Sequence, residues 1–135
     1  MAPSDEGPAV RLADGEWAIE VTPTLLFRFS ALTYNAHRIH YDRDYARDVE
    51  GYPGLLTHGP LQALAMAEAA RAAEYCRDHD DRHLHFDYRL VSPLFDFQGM
   101  TVSAVRENDA MMTAVRDIHG RKTASGTLRS ACRSG

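Results

Sequence analysis

The stretch from Thr57 to Asp80, THGPLQALAMAEAARAAEYCRDHD, constrains the fold more than any other part of the sequence. After Pro60 it contains neither glycine nor proline, and alanine, leucine, methionine and glutamate fill most of it. These are strong helix formers. Pro60 suits the first helical position, where a missing N–H costs nothing. The sequence therefore predicts one helix from Pro60 to about Arg77, with Gly59 as its N-cap. Leu61, Leu64, Ala65, Ala69, Ala72, Ala73 and Cys76 recur at helical spacing. Small residues dominate that stripe, so the helix can lie close against a sheet.

The residues downstream of this helix supply the sheet. In HLHFDYRL (83–90), Leu84, Phe86, Tyr88 and Leu90 alternate with His83, His85, Asp87 and Arg89, the pattern of a half-buried strand. MTVSAVRE (100–107), AMMTAVRDI (110–118) and KTASGTLRS (122–130) read as three more strands, with END and HGR as the turns of antiparallel hairpins. SPLFDFQG is a loop. Upstream, WAIEV (17–21) reads as a short strand. TPTLLFRFSALTY (22–34) fits a strand through Phe27, Phe29 and Ala31 and a helix through Leu25, Phe29 and Leu32, so period alone does not decide it. Asp42 as N-cap, Asp44 in a first turn and Gly51 as terminator predict a helix over 43–49. Helices, then one long helix, then antiparallel strands make an α+β chain with a sheet packed on one main helix.

Composition adds exclusions. At 135 residues the chain fits one domain, with residues 1–14 read as a flexible segment, 15–131 as the domain and 132–135 as a tail. A formal net charge of −4, with no Lys/Arg stripe interleaved with aromatics, gives no general attraction to nucleic acid. MAPSDEGPAV lacks the basic and apolar regions of a signal peptide, and no apolar run reaches membrane-spanning length. Cys76 and Cys132 form no CxxC pair and read as two thiols of a cytoplasmic protein.

The chemistry concentrates in NAHRIHYD, residues 35–42. Three readings stay open at this level. It can be a capped turn closed by Asn35. It can be part of a metal site with His37, His40 and His58, although HxxH without a nearby ligating carboxylate is a weak pattern. Or it can be an acid–base centre, since imidazole titrates near neutral pH. His79, His83, His85 and His119 fit exposed faces or turns. Glu68 is a carboxylate on the long helix and reads at this level as a solvated residue.

The run FSALTYNAHRIHYDRDYARDVEGYPGLLTHGPLQALAMAE, with the downstream FDYRLVSPLFDFQ, resembles the MaoC-like (R)-specific enoyl-thioester hydratases and dehydratases. Within them it is most similar to the hydroxyacyl-thioester dehydratase type 2 and mesaconyl-CoA hydratase branch. The resemblance spans about residues 17–130. It implies a single hot-dog fold, an antiparallel sheet wrapped around one long central helix, and makes residues 24–33 a short helix. It implies reversible hydration of 2-enoyl thioesters carried by CoA or an acyl carrier, with no metal or redox cofactor. Carried over, His40 is the general acid and base and the Gly59 amide polarises the thioester carbonyl. Asn35 stands where the family usually has Asp; an amide cannot act as a base but can orient water. Tyr34, His37, His58 and Arg89 become substrate-binding candidates. A homodimer, or a heterodimer with a second hot-dog subunit, is implied as well. A thioesterase or tailoring dehydratase/cyclase using Glu68, and a non-catalytic subunit of a heterodimeric dehydratase, are the alternatives.

Overall fold

The computed structural model describes residues 9–73 and 84–130. Two strands come first, β1 (Ala9–Ala13) and β2 (Glu16–Ile19). Three helices follow: α1 (Pro23–Leu32), α2 (Arg43–Asp48) and α3 (Gly59–Ala72). Four strands complete the domain: β3 (Leu84–Leu90), β4 (Met100–Glu107), β5 (Ala110–Arg116) and β6 (Lys122–Ser130). All six strands join one antiparallel sheet in the order β1-β2-β4-β5-β6-β3, and α3 packs on β4, β5 and β6. This is the hot-dog arrangement. Among the described residues no helix is long and apolar enough to cross a membrane.

Local chemistry explains most boundaries. Thr22 caps α1 by accepting from the Leu25 N–H at 3.0 Å, and Pro23 sits in the first turn. That Thr-Pro signal resolves the ambiguous 22–34 stretch as a helix. Asp42 caps α2 through the Tyr45 N–H, as expected. The N-terminal reading needs correction. Ala9–Ala13, placed in a flexible segment before the domain, pairs with β2 through the two-residue turn Asp14–Gly15. Gly15 adopts φ +72°, and a β-carbon there would run into the Ala104 carbonyl, so the Asp-Gly pair is a genuine hairpin signal.

The long helix also departs from expectation. Gly59 is its first residue, not its cap; His58 holds the cap position. The helix is described to Ala72 with Ala73 as C-cap, and the remainder to Arg77, like Cys76, His79, His83 and Cys132, lies outside the described residues. Its buried face consists of Leu61, Gln62, Ala63, Met66, Ala69 and Ala70, whereas Leu64, Ala72 and Ala73 are exposed. An alanine-rich helix carries overlapping small-residue stripes, and Gln62 and Met66 choose between them. Gln62 Oε1 accepts from Thr123 Oγ1 at 2.8 Å on β6. Met66, fully buried, enters the core with Leu94, Met100, Val102, Val115 and Leu128.

A second cluster, Leu26, Leu55 and Leu61, packs α1 over the beginning of α3. Strand β3 is an edge strand with mostly exposed side chains; of its four apolar positions only Phe86 is partly buried. The half-buried strand read from the sequence is therefore half-buried at one residue only in the single chain.

Candidate active site

The site forms where a short turn meets the start of α3. Residues Arg38–His40 make one 3₁₀ turn, which leads into α2. Asn35 opens it: its Oδ1 accepts from the His37 N–H at 3.1 Å. The capping role is thus real. The turn is clamped to residues 54–57 by its own backbone, since the Leu56 N–H donates to the Ile39 carbonyl at 3.0 Å. Leu56 bridges onward to Phe95, and Asp96 secures that contact. The Asp96 side chain, 7% exposed, accepts from the Leu55 N–H at 3.0 Å and from Arg43 at 2.6 Å.

His40 is held from two sides. Its Nδ1 lies 2.8 Å from the Leu56 carbonyl oxygen. A carbonyl only accepts, so Nδ1 carries the proton, and Nε2 has no hydrogen-bond partner among the described residues. The ring is 7% exposed and stacks on His58, with centroids 3.8 Å apart and planes 16° from parallel. Burial is the main cause that lowers the His40 pKa; the Leu56 hydrogen bond opposes it, and the charge of His37 adds to the lowering. His58 is 1% exposed and its pKa falls to about 4, mainly through burial and secondarily through His40. Both rings are neutral near pH 7.

His58 immediately precedes Gly59, so the stacked pair sits at the opening of α3. As a first helical residue Gly59 has no carbonyl one turn back for its N–H to reach, and the positive end of the helix dipole lies there. The space where a Gly59 β-carbon would go is taken by a Leu90 methyl. Glycine therefore lets the end of β3 close over the helix start.

Other sequence-predicted residues fare unequally. The His37 ring is exposed and edge-on to His40, at 5.9 Å. Tyr34 is 95% exposed with φ +54°. With Phe27, Ser30, Ala31, Asn35, Ala36 and Tyr41 it lines an open concavity of about 290 Å³ beside the loop. Arg89 is not brought to the site. It precedes Leu90 on β3, and by strand alternation it points to the opposite sheet face, where it lines a hollow with Arg116 and Lys122. Glu68 is exposed, bonded to Arg71 at 2.8 Å, and by helical rise about 15 Å from His58. Among the described residues no group of three His, Cys, Asp or Glu side chains could hold a metal ion. His40 and His58 direct nitrogens at Leu56 and Ser30 instead. His85 and His119 are exposed, as expected.

Two partners were missed by sequence reasoning. The Leu56 carbonyl carries no side-chain signal. Ser30 does carry one. It lies on the flank of α1 that includes Leu26 and Phe29, is 5% exposed, and its Oγ is 2.7 Å from His58 Nε2. A serine on a buried helical stripe was the available hint.

Comparison with known proteins places the chain in a family. Residues 3–96 match the model of the hydroxyacyl-thioester dehydratase type 2 family. Mesaconyl-C(4)-CoA hydratase of Chloroflexus aurantiacus is 45% identical over 107 residues, 78% of this chain and 36% of that protein. The mitochondrial hydroxyacyl-thioester dehydratase type 2 of Schizosaccharomyces pombe is 37% identical over 86 residues, 64% of this chain and 28% of that one. The chain thus spans about a third of the length of these relatives. Among solved structures, HtdX from Mycobacterium tuberculosis superposes with a TM-score of 0.67 at 17% identity, covering 96% of this chain and 48% of that one. The (R)-hydratase from A. caviae superposes at 0.63 with 15% identity, covering 88% and 97% respectively. These two show the shared fold. The family match takes in the NAHRIHYD turn, the His58–Gly59 helix start and Asp96 alike, and the chain belongs to the hydroxyacyl-thioester dehydratase type 2 family.

Proposed function

We propose that the chain is a hydro-lyase that adds water reversibly across the double bond of a 2-enoyl thioester carried by CoA or an acyl carrier. The observation that carries this reading is His40: Nδ1 is committed to Leu56, Nε2 is open, and the ring stacks beside the start of α3. In hydration, Nε2 takes a proton from water as the oxygen bonds to C3. The developing enolate charge on the thioester oxygen is met by the Gly59 N–H and the helix dipole, an arrangement of the oxyanion-hole kind. The proton on His40 then passes to C2. Dehydration runs the same steps backward. Asn35 uses Oδ1 to shape the turn and offers its amide N–H₂ to orient water or substrate.

The partner belongs to the same proposal. Among the described residues β3 pairs on one side only, with β6, and it exposes Leu84, Tyr88 and Leu90. Such an edge invites pairing with another strand. We assign it to a second hot-dog unit, a homodimer by default. The thioesterase reading loses its support because Glu68 stands away from His40 and is engaged with Arg71. The test is turnover of crotonyl-CoA and a branched unsaturated dicarboxylic acyl-CoA by the purified chain, followed by loss of enoyl-thioester absorbance. His40→Ala is expected to lower kcat by about 10²–10⁴. Full activity in His40→Ala overturns the mechanism; turnover only after a second subunit is added identifies the chain as an accessory unit.

A further inference from the structure

We propose that Ser30 is a positioning residue of this site: by accepting the Nε2 proton of His58 it fixes the tautomer and plane of the ring on which His40 stacks. The proposal rests on His40 being the acid–base group, but the tautomer it predicts is a property of the folded chain whether or not turnover is found.

The Ser30 Oγ to His58 Nε2 distance of 2.7 Å admits two arrangements. Either Nε2–H donates to Oγ, or Oγ–H donates to a bare Nε2. The other nitrogen decides between them. His58 Nδ1 is buried and has no hydrogen-bond partner among the described residues. If the proton sat on Nδ1, a buried N–H would have nothing to donate to, and such orphaned donors are rare in folded proteins. With the proton on Nε2, Nδ1 keeps only a lone pair, the cheaper orphan. Ser30 is therefore the acceptor.

The consequence reaches His40 through the stack. The Leu56 carbonyl holds His40 at one nitrogen only and leaves the ring free to rock about that bond. The face of His58, 3.8 Å away, removes that freedom. His58 in turn is held by Ser30 and by the Phe29 ring, tilted 66° at 4.8 Å. Both holding residues come from α1 and both are uncharged. The titratable groups acting on the pair are the two rings themselves and His37 from the turn. Neighbouring Arg38 and Asp42 bond each other at 2.7 Å.

Uniformly nitrogen-labelled histidine read by long-range proton–nitrogen NMR reports the tautomer of each ring directly. The wild-type chain is expected to show His58 protonated on Nε2 throughout the neutral range. In Ser30→Ala both tautomers are expected, with kcat reduced about ten- to a hundred-fold, the size of a misplacement near 1 Å, and KM changed much less. Ser30→Thr, which keeps the hydroxyl, is expected to restore the single tautomer and most of kcat. A wild-type His58 protonated on Nδ1, an unchanged tautomer in Ser30→Ala, or equal kcat losses in Ala and Thr variants would each overturn the proposal. The NMR arm needs no substrate, so failure of the hydratase reading would leave it standing or falling on its own.

Discussion

Acid should destabilise this protein through His58, and the size of the effect follows from its burial. Its pKa is about 4 in the folded chain against 6.5 for a free imidazole. A group whose folded pKa is depressed binds more protons unfolded than folded between those two values. Stability is therefore fully present above pH 6.5 and is lost as pH falls toward 4. At about 1.36 kcal/mol per pH unit, the whole interval is worth about 3 kcal/mol, and about 2 kcal/mol of it is gone by pH 5. His40 is lowered in the same direction and adds to the loss. The carboxylates with depressed pKa, Asp42 and Asp117, titrate below 3.8 and leave the pH 7 to 5 window to the imidazoles. The loss is a large share of the 5–15 kcal/mol typical of a domain. Urea unfolding at pH 7 and pH 5 measures it. His58→Phe keeps a flat ring between Phe29 and His40 but has nothing to protonate, so its pH 5 penalty should shrink to the part due to His40. A variant that loses as much as wild type between the two pH values would refute the assignment to His58.

The same protonation logic sets the rate profile. His40 must be neutral to accept a proton, so kcat/KM should fall on the acid side with a midpoint below 6.5; a midpoint above 6.5 contradicts the burial argument. Asp96→Ala strips the acceptor from the Leu55 N–H and the partner from Arg43. It should cost about 2 kcal/mol in a thermal or urea melt and lower kcat as well, while Asp96→Asn, which keeps an acceptor, should cost less. Glu68→Ala removes an exposed partner of Arg71 and should change stability by less than about 1 kcal/mol with kcat unaltered. A large kcat loss there would revive the thioesterase reading.

How far the residues announced this structure depends on the kind of signal each element carries. The strands of the last third were legible because alternation is local, and β4 and β6 match their expected bounds to the residue. The helix over 43–49 was legible because Asp42 caps it by a bond three residues long. The face of α3 was not. In LQALAMAEAARAA several small-residue stripes satisfy the same spacing, and only tertiary partners, Thr123 for Gln62 and the sheet for Met66, select one. β1 carries little alternation of its own, and only the Asp14–Gly15 turn marks it. In the site, His40 and Gly59 stand in the motif itself, but the partners that hold His40 lie elsewhere. Leu56 is sixteen residues away and acts through its backbone, which no side-chain pattern records. Ser30 is twenty-eight residues from His58. Arg89 lies away from the His40–Gly59 centre for a simpler reason: alternation on β3 that aims Leu90 at Gly59 must aim its neighbour away.

An amide at position 35, where the resemblance leads one to expect Asp, fits the proposed reaction once the helix start is considered as an electrostatic device. The positive end of α3 disfavours a cation beside it and favours a developing anion. In the proposed reaction it would act on both halves at once. Burial keeps the imidazole pair neutral, the form in which His40 would take a proton from water in hydration or from C2 in dehydration, and the helix start would not oppose it. It also stabilises the enolate that forms when His40 does so. In that proposal imidazolium would arise at Nε2 only as negative charge appears on the thioester oxygen at Gly59, and the two charges would offset each other within the site. A carboxylate at position 35 would weaken that coupling by stabilising imidazolium in the resting state. An amide leaves it intact, and still closes the turn that presents His40.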